Sequence, residues 1–107
     1  MLSTEATRWL HTSGVVPTRP DGSVPESIGE QAETVWSSIG AMLEDAEMTM
    51  ADIISVTTYV VVDEDLGEVM AARDRFLAGH LAASTLIIVP CLAQESWRME
   101  IAIVASV

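Results

Sequence analysis

The sequence predicts a single α+β domain in which two helices cover one face of a β-sheet. A chain of 107 residues has room for one hydrophobic core, so residues 1–107 are treated as one domain. Half of the residues are apolar and a fifth are charged, a composition typical of folded proteins. Two stretches with apolar residues at helical spacing alternate with stretches rich in β-branched residues, which indicates a mixture of helices and strands.

The first half of the chain predicts a strand, a loop and a helix. Residues 8–16 predict a short strand that ends before Pro17, and residues 20–23 have the Pro-Asp-Gly-Ser composition of a tight turn. An amphipathic helix is predicted from about Glu26 to Ala46. Its apolar positions are Ile28, Ala32, Val35, Ile39, Met42, Leu43 and Ala46.

The second half predicts a central strand, a second helix and two further strands. Residues 53–62 are rich in β-branched residues and contain no Gly or Pro, which favours a central strand. The acidic residues 63–65 precede a second helix, where the macrodipole favours negative charge, and Gly79 is predicted to end it. Residues 84–92 and 98–107 are interpreted as an antiparallel hairpin.

Two helices leave the second face of such a sheet uncovered. Alternation along the strands places Tyr59, Val61, Ala102 and Val104 on that face, with few charges among them. Because apolar sheet faces are normally buried, we expect the chain to associate with further copies of itself in a closed symmetric form.

The charge of the chain limits its partners. Five arginines, no lysine and sixteen acidic residues give a net charge of −11, which repels nucleic-acid phosphates and anionic lipids, so we expect neither nucleic acid nor membrane as a partner. The absence of lysine excludes amine nucleophiles and P-loop chemistry. A single cysteine and the lack of a secretory signal or a transmembrane stretch predict a cytoplasmic protein.

Few residues are candidates for chemistry. Glu100 lies in a strand whose other residues after Arg98 are uncharged, which suits a carboxylate that binds substrate or water; the alternative is a rim carboxylate paired with Arg98, two residues away on the same face. Ser13-Gly14 follows a strand, where a glycine lets a ligand approach the backbone closely, although a simple strand-ending turn is the alternative. His11 and His80 lack metal-ligand spacing and are interpreted as structural.

Several short motifs occur in the order typical of the RidA (YjgF-type) family. They are Thr12-Ser13-Gly14, Asp21-Gly22, a helix carrying Gln31, the strand 52–60 and Met99-Glu100-Ile101. The chain resembles that family from about residue 8 to residue 105. The resemblance implies a chorismate-mutase-like ββαβαββ fold with a mixed sheet and a homotrimer with clefts between subunits. It further implies hydrolysis of enamines and imines to a 2-oxo acid and ammonia, without cofactor or metal.

The resemblance also implies roles for individual residues. The Ser13-Gly14 turn and Glu100 would place substrate and water, and Ser84 and Thr85 match the substrate-binding start of the family's last hairpin.

The carboxylate-binding arginine of the family is replaced by Ala83, and Arg98 is the candidate substitute. We also expect this chain to lack the cleft tyrosine that an N-terminal extension contributes in many relatives. Two functions stay open: an imine deaminase, that is a hydrolase, with altered substrate preference, and a catalytically silent trimer that binds a small-molecule ligand or has a regulatory role.

Overall fold

Four strands and two helices form the domain, in a computed structural model that describes residues 7–107. Their bounds are Trp9–His11 (β1), Ile28–Asp45 (α1), Ile53–Val61 (β2), Leu66–Leu77 (α2), Ala83–Val89 (β3) and Met99–Ser106 (β4). A short 3-10 turn, Met50–Asp52, precedes β2. The α+β class with two helices and a mixed sheet is confirmed, and the first of the two strands expected before α1 is present. The second is reduced to one isolated bridge between Val15 and Ile101.

Side-chain caps explain where the helices begin. The Ser27 hydroxyl accepts a hydrogen bond from the backbone N–H of Glu30 at the start of α1. Asp65 does the same for the N–H groups of Gly67 and Glu68 at the start of α2. The predicted helix bounds are therefore correct to within two residues. Met42, predicted to be buried, is 39% exposed, because Trp36 and Ile39 fill the centre of the apolar stripe instead.

The order of strands across the sheet is β1-β4-β2-β3. Strand β4 is antiparallel to both β1 and β2, whereas β3 is parallel to β2. The predicted hairpin of the last two strands is therefore wrong, because β2 lies between them. A crossover through α2 brings β3 parallel to β2, and the segment 90–98 then carries the chain past β2 to β4.

The core lies between the two helices and one face of the sheet. On β4 the predicted alternation is confirmed, since Met99, Ile101, Ile103 and Ala105 are all buried. On β2 the register with β4 shifts between Ile53 and Ser55, so Ile53 is buried and Ile54 is only partly buried.

The other side of the sheet has no helix against it, and we call it the open face. Alternation and strand register assign to it Ser55, Thr57, Tyr59, Val61, Ala83, Thr85, Ile87, Val89, Glu100, Ala102 and Val104. Within residues 7–107, no helix is long and apolar enough to cross a membrane.

Candidate functional site

Glu100 rests against Gly14 on the open face. Strand β4 places Glu100 directly opposite Tyr59 of β2. A Cβ atom built on Gly14 would lie 2.8 Å from Glu100 Cδ and would overlap Oε2, so only glycine leaves room for the carboxylate in this position. The Glu100 side chain makes no ion pair or hydrogen bond with any group in residues 7–107. The expected proximity of Glu100 to the Ser13-Gly14 turn is therefore present within one chain.

The Ser13-Gly14 turn interrupts the pairing of the first strand with β4. Thr12 donates its N–H to Ile103 O (3.1 Å), and its hydroxyl accepts from Ile103 N (2.9 Å). Val15 N donates to Ile101 O at 2.7 Å. Ser13 and Gly14 thus stand between two anchored residues, in the manner of a bulge. Their N–H groups have no acceptor in the described part of the chain, so this turn presents two free donors beside a carboxylate.

Two surface grooves in the described residues 7–107 do not include Glu100. A groove of about 430 Å³ runs along the turn and includes Ser13, Gly14 and Met42, and one of about 550 Å³ lies beside Arg19 and Glu30.

Arg98 is held by two other segments. Its Nε donates to Glu64 Oε2 at 2.7 Å, and the two side chains are 34% and 22% exposed. Arg98 is therefore paired with Glu64, and the alternative pairing with Glu100 is not formed. The backbone N–H of Arg98 donates to the amide oxygen of Gln31 at 2.9 Å, which fixes the residue that precedes β4.

Gln31 is the polar residue that sequence reasoning did not assign to any contact. Its side chain is 1% exposed, and besides accepting from Arg98 N its Nε2 donates to Pro25 O (2.8 Å) and Ser96 O (2.9 Å). The amide therefore ties the entry of α1 to the loop before β4. A glutamine next to Ile28 and Ala32 in the buried stripe was the available signal.

Ser84 and Thr85 lie on opposite faces of the edge strand β3. Ser84 pairs with Val56 on the helix side, and its hydroxyl accepts from Arg73 Nη1 at 3.2 Å. Thr85 pairs with Thr57 and faces the open side, about 10 Å from β4 across two strand spacings. Of these two, only Thr85 shares a face with Glu100. Tyr59, which was not singled out as a site residue, is closer, and only the strand register reveals it.

The remaining titratable groups lie away from Glu100. His80 Nε2 is 2.7 Å from Ile53 O, as expected of a structural histidine, and His11 is exposed beside the Trp9 ring. The Ser23 hydroxyl and then its N–H lower the pKa of Asp21 in the predicted turn. Cys91 is exposed because β3 ends at Val89. Within residues 7–107, no three His, Cys, Asp or Glu side chains lie close enough together to hold a metal ion.

These features define a small α+β protein with an unpaired carboxylate on a helix-free sheet face. The chain matches the protein-family model described as Endoribonuclease L-PSP over residues 2–107. It belongs to this family, which is the RidA (YjgF-type) family suggested by the motifs.

Individual relatives agree with this assignment. The chain is 38% identical over 66 residues to a RutC family protein of Haemophilus influenzae, covering 61% of this chain and 51% of the relative. It is 32% identical over 72 residues to the 2-iminobutanoate/2-iminopropanoate deaminase of Escherichia coli, covering 66% and 56%. It is similar to the solved structure of the Rid family protein YyfB from Yersinia pestis, with a TM-score of 0.90, 27% identity and coverage of 98% and 83%. The match thus spans about half the length of these curated relatives.

Proposed function

We propose that the protein hydrolyses imines or enamines to carbonyl compounds and ammonia, in a cleft that other copies of the chain complete in a homotrimer. The observation that carries the proposal is the unpaired Glu100 carboxylate packed against Gly14, beside two free backbone N–H groups. Membership of a family that includes a protein named 2-iminobutanoate/2-iminopropanoate deaminase supports the reaction class.

The reaction needs an acid-base group and a place for water, both of which Glu100 supplies. The carboxylate accepts a proton from water as the water oxygen bonds to the carbon of a protonated imine, and the C=N electron pair moves to nitrogen. Glu100 then protonates that nitrogen and takes up the hydroxyl proton as ammonia leaves. The ammonia finally takes that proton, so one iminium ion and one water give one carbonyl compound and one ammonium ion.

The free N–H groups of Ser13 and Gly14 suit the oxygen atom of this reaction. Backbone donors that are fixed before the reaction stabilise an oxygen that gains negative charge. Thr12 and Val15 hold the turn to β4 on either side, so these two donors need little reorganisation when a substrate binds.

Assembly is proposed because the site is incomplete in one chain. Glu100 lines neither of the two grooves described above, and the open face carries exposed apolar side chains, with Ile87 40% exposed and Trp9 at its edge 53% exposed. A closed trimer would bury this face, and residues of a neighbouring copy would enclose the site around Glu100. Sedimentation equilibrium is expected to give three times the mass of one chain, and a stable folded monomer at micromolar concentration would contradict the assembly.

The name Endoribonuclease L-PSP suggests a different substrate, which the charge does not favour. A chain with net charge −11 and no lysine lacks the cations that hold a phosphate backbone.

The test of the proposed function is imine hydrolysis itself. Imines are generated in situ by oxidising an amine or an amino acid, semicarbazide competes to trap them, and the protein is expected to lower the yield of semicarbazone. An unchanged yield with every imine offered would contradict the proposed reaction.

A further inference from the structure

Every arginine of the chain is already engaged in a contact. The five acceptors are the Ala46 carbonyl for Arg8, Glu30 for Arg19, Asp74 for Arg73, Glu33 for Arg75 and Glu64 for Arg98. The sequence contains no lysine, and four of its five arginines are paired with a carboxylate. Only Arg8, whose acceptor is a neutral carbonyl, has no carboxylate partner within residues 7–107, and each further copy in an assembly would have the same set of contacts.

Glu100 is in the opposite situation, because it has no cationic partner. Arg98 is the nearest arginine along β4, and its guanidinium donates to Glu64. His11 pairs with Val104, four residues from Glu100 along β4, which is about 13 Å away. Strand register places the Tyr59 phenol opposite Glu100 and the methyl group of Ala102 two residues along on the same face. The Glu100 carboxylate therefore has no ion-pair partner within residues 7–107, because the charge of Arg98 is paired with Glu64.

We propose that the Glu100 site selects a cationic imine without a carboxylate group, such as the protonated imine of a simple ketone or aldehyde; this rests on the proposed imine hydrolysis. A protonated imine brings both a positive charge and N–H donors to a carboxylate that lacks partners. A substrate carboxylate would instead lie near Glu100 with only the partial charges of the Ser13 and Gly14 N–H groups to hold it, and like charges at short range repel.

The binding test uses two ligands of the same shape and opposite charge. Isopropylammonium and isobutyrate are titrated at millimolar concentration, and the backbone amide resonances of Gly14 and Glu100 are followed by NMR. Isopropylammonium is expected to shift both resonances and to bind at least about fivefold more tightly than isobutyrate. This factor corresponds to the contribution of about 1 kcal/mol from one half-exposed ion pair. Equal or tighter binding of isobutyrate, or no shift with either ligand, would overturn the proposal.

Two matched variants separate a local effect of Glu100 from the general negative charge of the chain. Glu100→Gln removes the charge at the site and is expected to abolish the preference for isopropylammonium. Glu95→Gln removes the same charge from an exposed loop residue and is expected to leave the preference unchanged. Loss of the preference in Glu95→Gln, or its survival in Glu100→Gln, would overturn the assignment to this site.

The turnover test uses the imines of acetone and of pyruvate. The acetone imine has a methyl group at the position where the pyruvate imine has a carboxylate. Faster hydrolysis of the acetone imine supports the proposal. Faster hydrolysis of the pyruvate imine overturns it while the proposed reaction stands. Selective binding of isopropylammonium with hydrolysis of neither imine supports the ligand class and contradicts the proposed reaction, so the two can fail independently.

Discussion

Gly14→Ala tests whether the contact between Gly14 and Glu100 serves activity or folding. The new methyl carbon would lie 2.8 Å from Glu100 Cδ, whereas carbon atoms in contact are about 3.5–4.0 Å apart. The carboxylate must therefore move by about 1 Å. A displacement of that size in a catalytic group lowers the rate about 100-fold, and we expect a loss of this order in imine hydrolysis.

The stability of the same variant is expected to change little. The atoms that must move are the end of a flexible side chain, and a strained rotamer costs about 0.5–1.5 kcal/mol. Gly14 does not have a positive φ, so alanine fits its backbone. Because alanine lowers the conformational entropy of the unfolded chain, the substitution also stabilises the folded state by about 0.4–1 kcal/mol. The free energy of unfolding should therefore stay within about 1 kcal/mol of the original value, as measured by urea denaturation.

Gly40→Ala provides the matched control. A Cβ at Gly40 would lie 3.5 Å from Met50 Cε, an ordinary contact, inside α1. Activity should be unchanged and stability should rise by about 0.5–1 kcal/mol. A Gly14→Ala variant with full activity, or one whose activity falls only in proportion to unfolding, would refute the reasoning.

Three further predictions concern the surroundings of the site. Gln31→Leu leaves three backbone partners, one buried and two partly buried, without their hydrogen bonds and should lower the free energy of unfolding by about 3 kcal/mol; a urea midpoint equal to that of the original protein would contradict this. Ala83→Arg, which adds a cation to the open face at the position that the resemblance matches to a carboxylate-binding arginine, should increase hydrolysis of the pyruvate imine at least about tenfold, whereas Ser84→Arg on the helix side should not. Glu64→Gln releases Arg98 and should strengthen isobutyrate binding while changing stability by less than about 1 kcal/mol, which NMR titration and urea denaturation measure together.

The features that the sequence predicts correctly are those set by local chemistry. The start of α1 follows from the Ser27 cap and the apolar spacing after it, and the buried face of β4 follows from its alternation. Glu100 is recognisable because it is the one charged residue between Met99 and Ser106, which the order of residues in the sequence shows directly.

The features that it does not predict depend on which strands and loops meet. Alternation predicts which side chains of β3 and β4 share a face, but it does not predict which strands pair with each other. The position of β2 between β3 and β4 was therefore not predicted. The Arg98–Glu64 pair joins positions 34 residues apart, and the Gln31 contacts reach 65 and 67 residues along the chain. Ile53 is buried and Ile54 is not because of one register shift between β2 and β4, and no residue type in that stretch predicts this shift.

Replacing Glu100 by glutamine, with hydrolysis and unfolding measured on the same preparation, tests the central claim most directly. The amide keeps the volume of the side chain but cannot accept a proton from water, so hydrolysis should fall about 100- to 10,000-fold. Because the carboxylate makes no hydrogen bond or ion pair within residues 7–107, the free energy of unfolding should change by less than about 1 kcal/mol. Full hydrolysis together with a much lower melting temperature would assign Glu100 to the fold and contradict its role in the site.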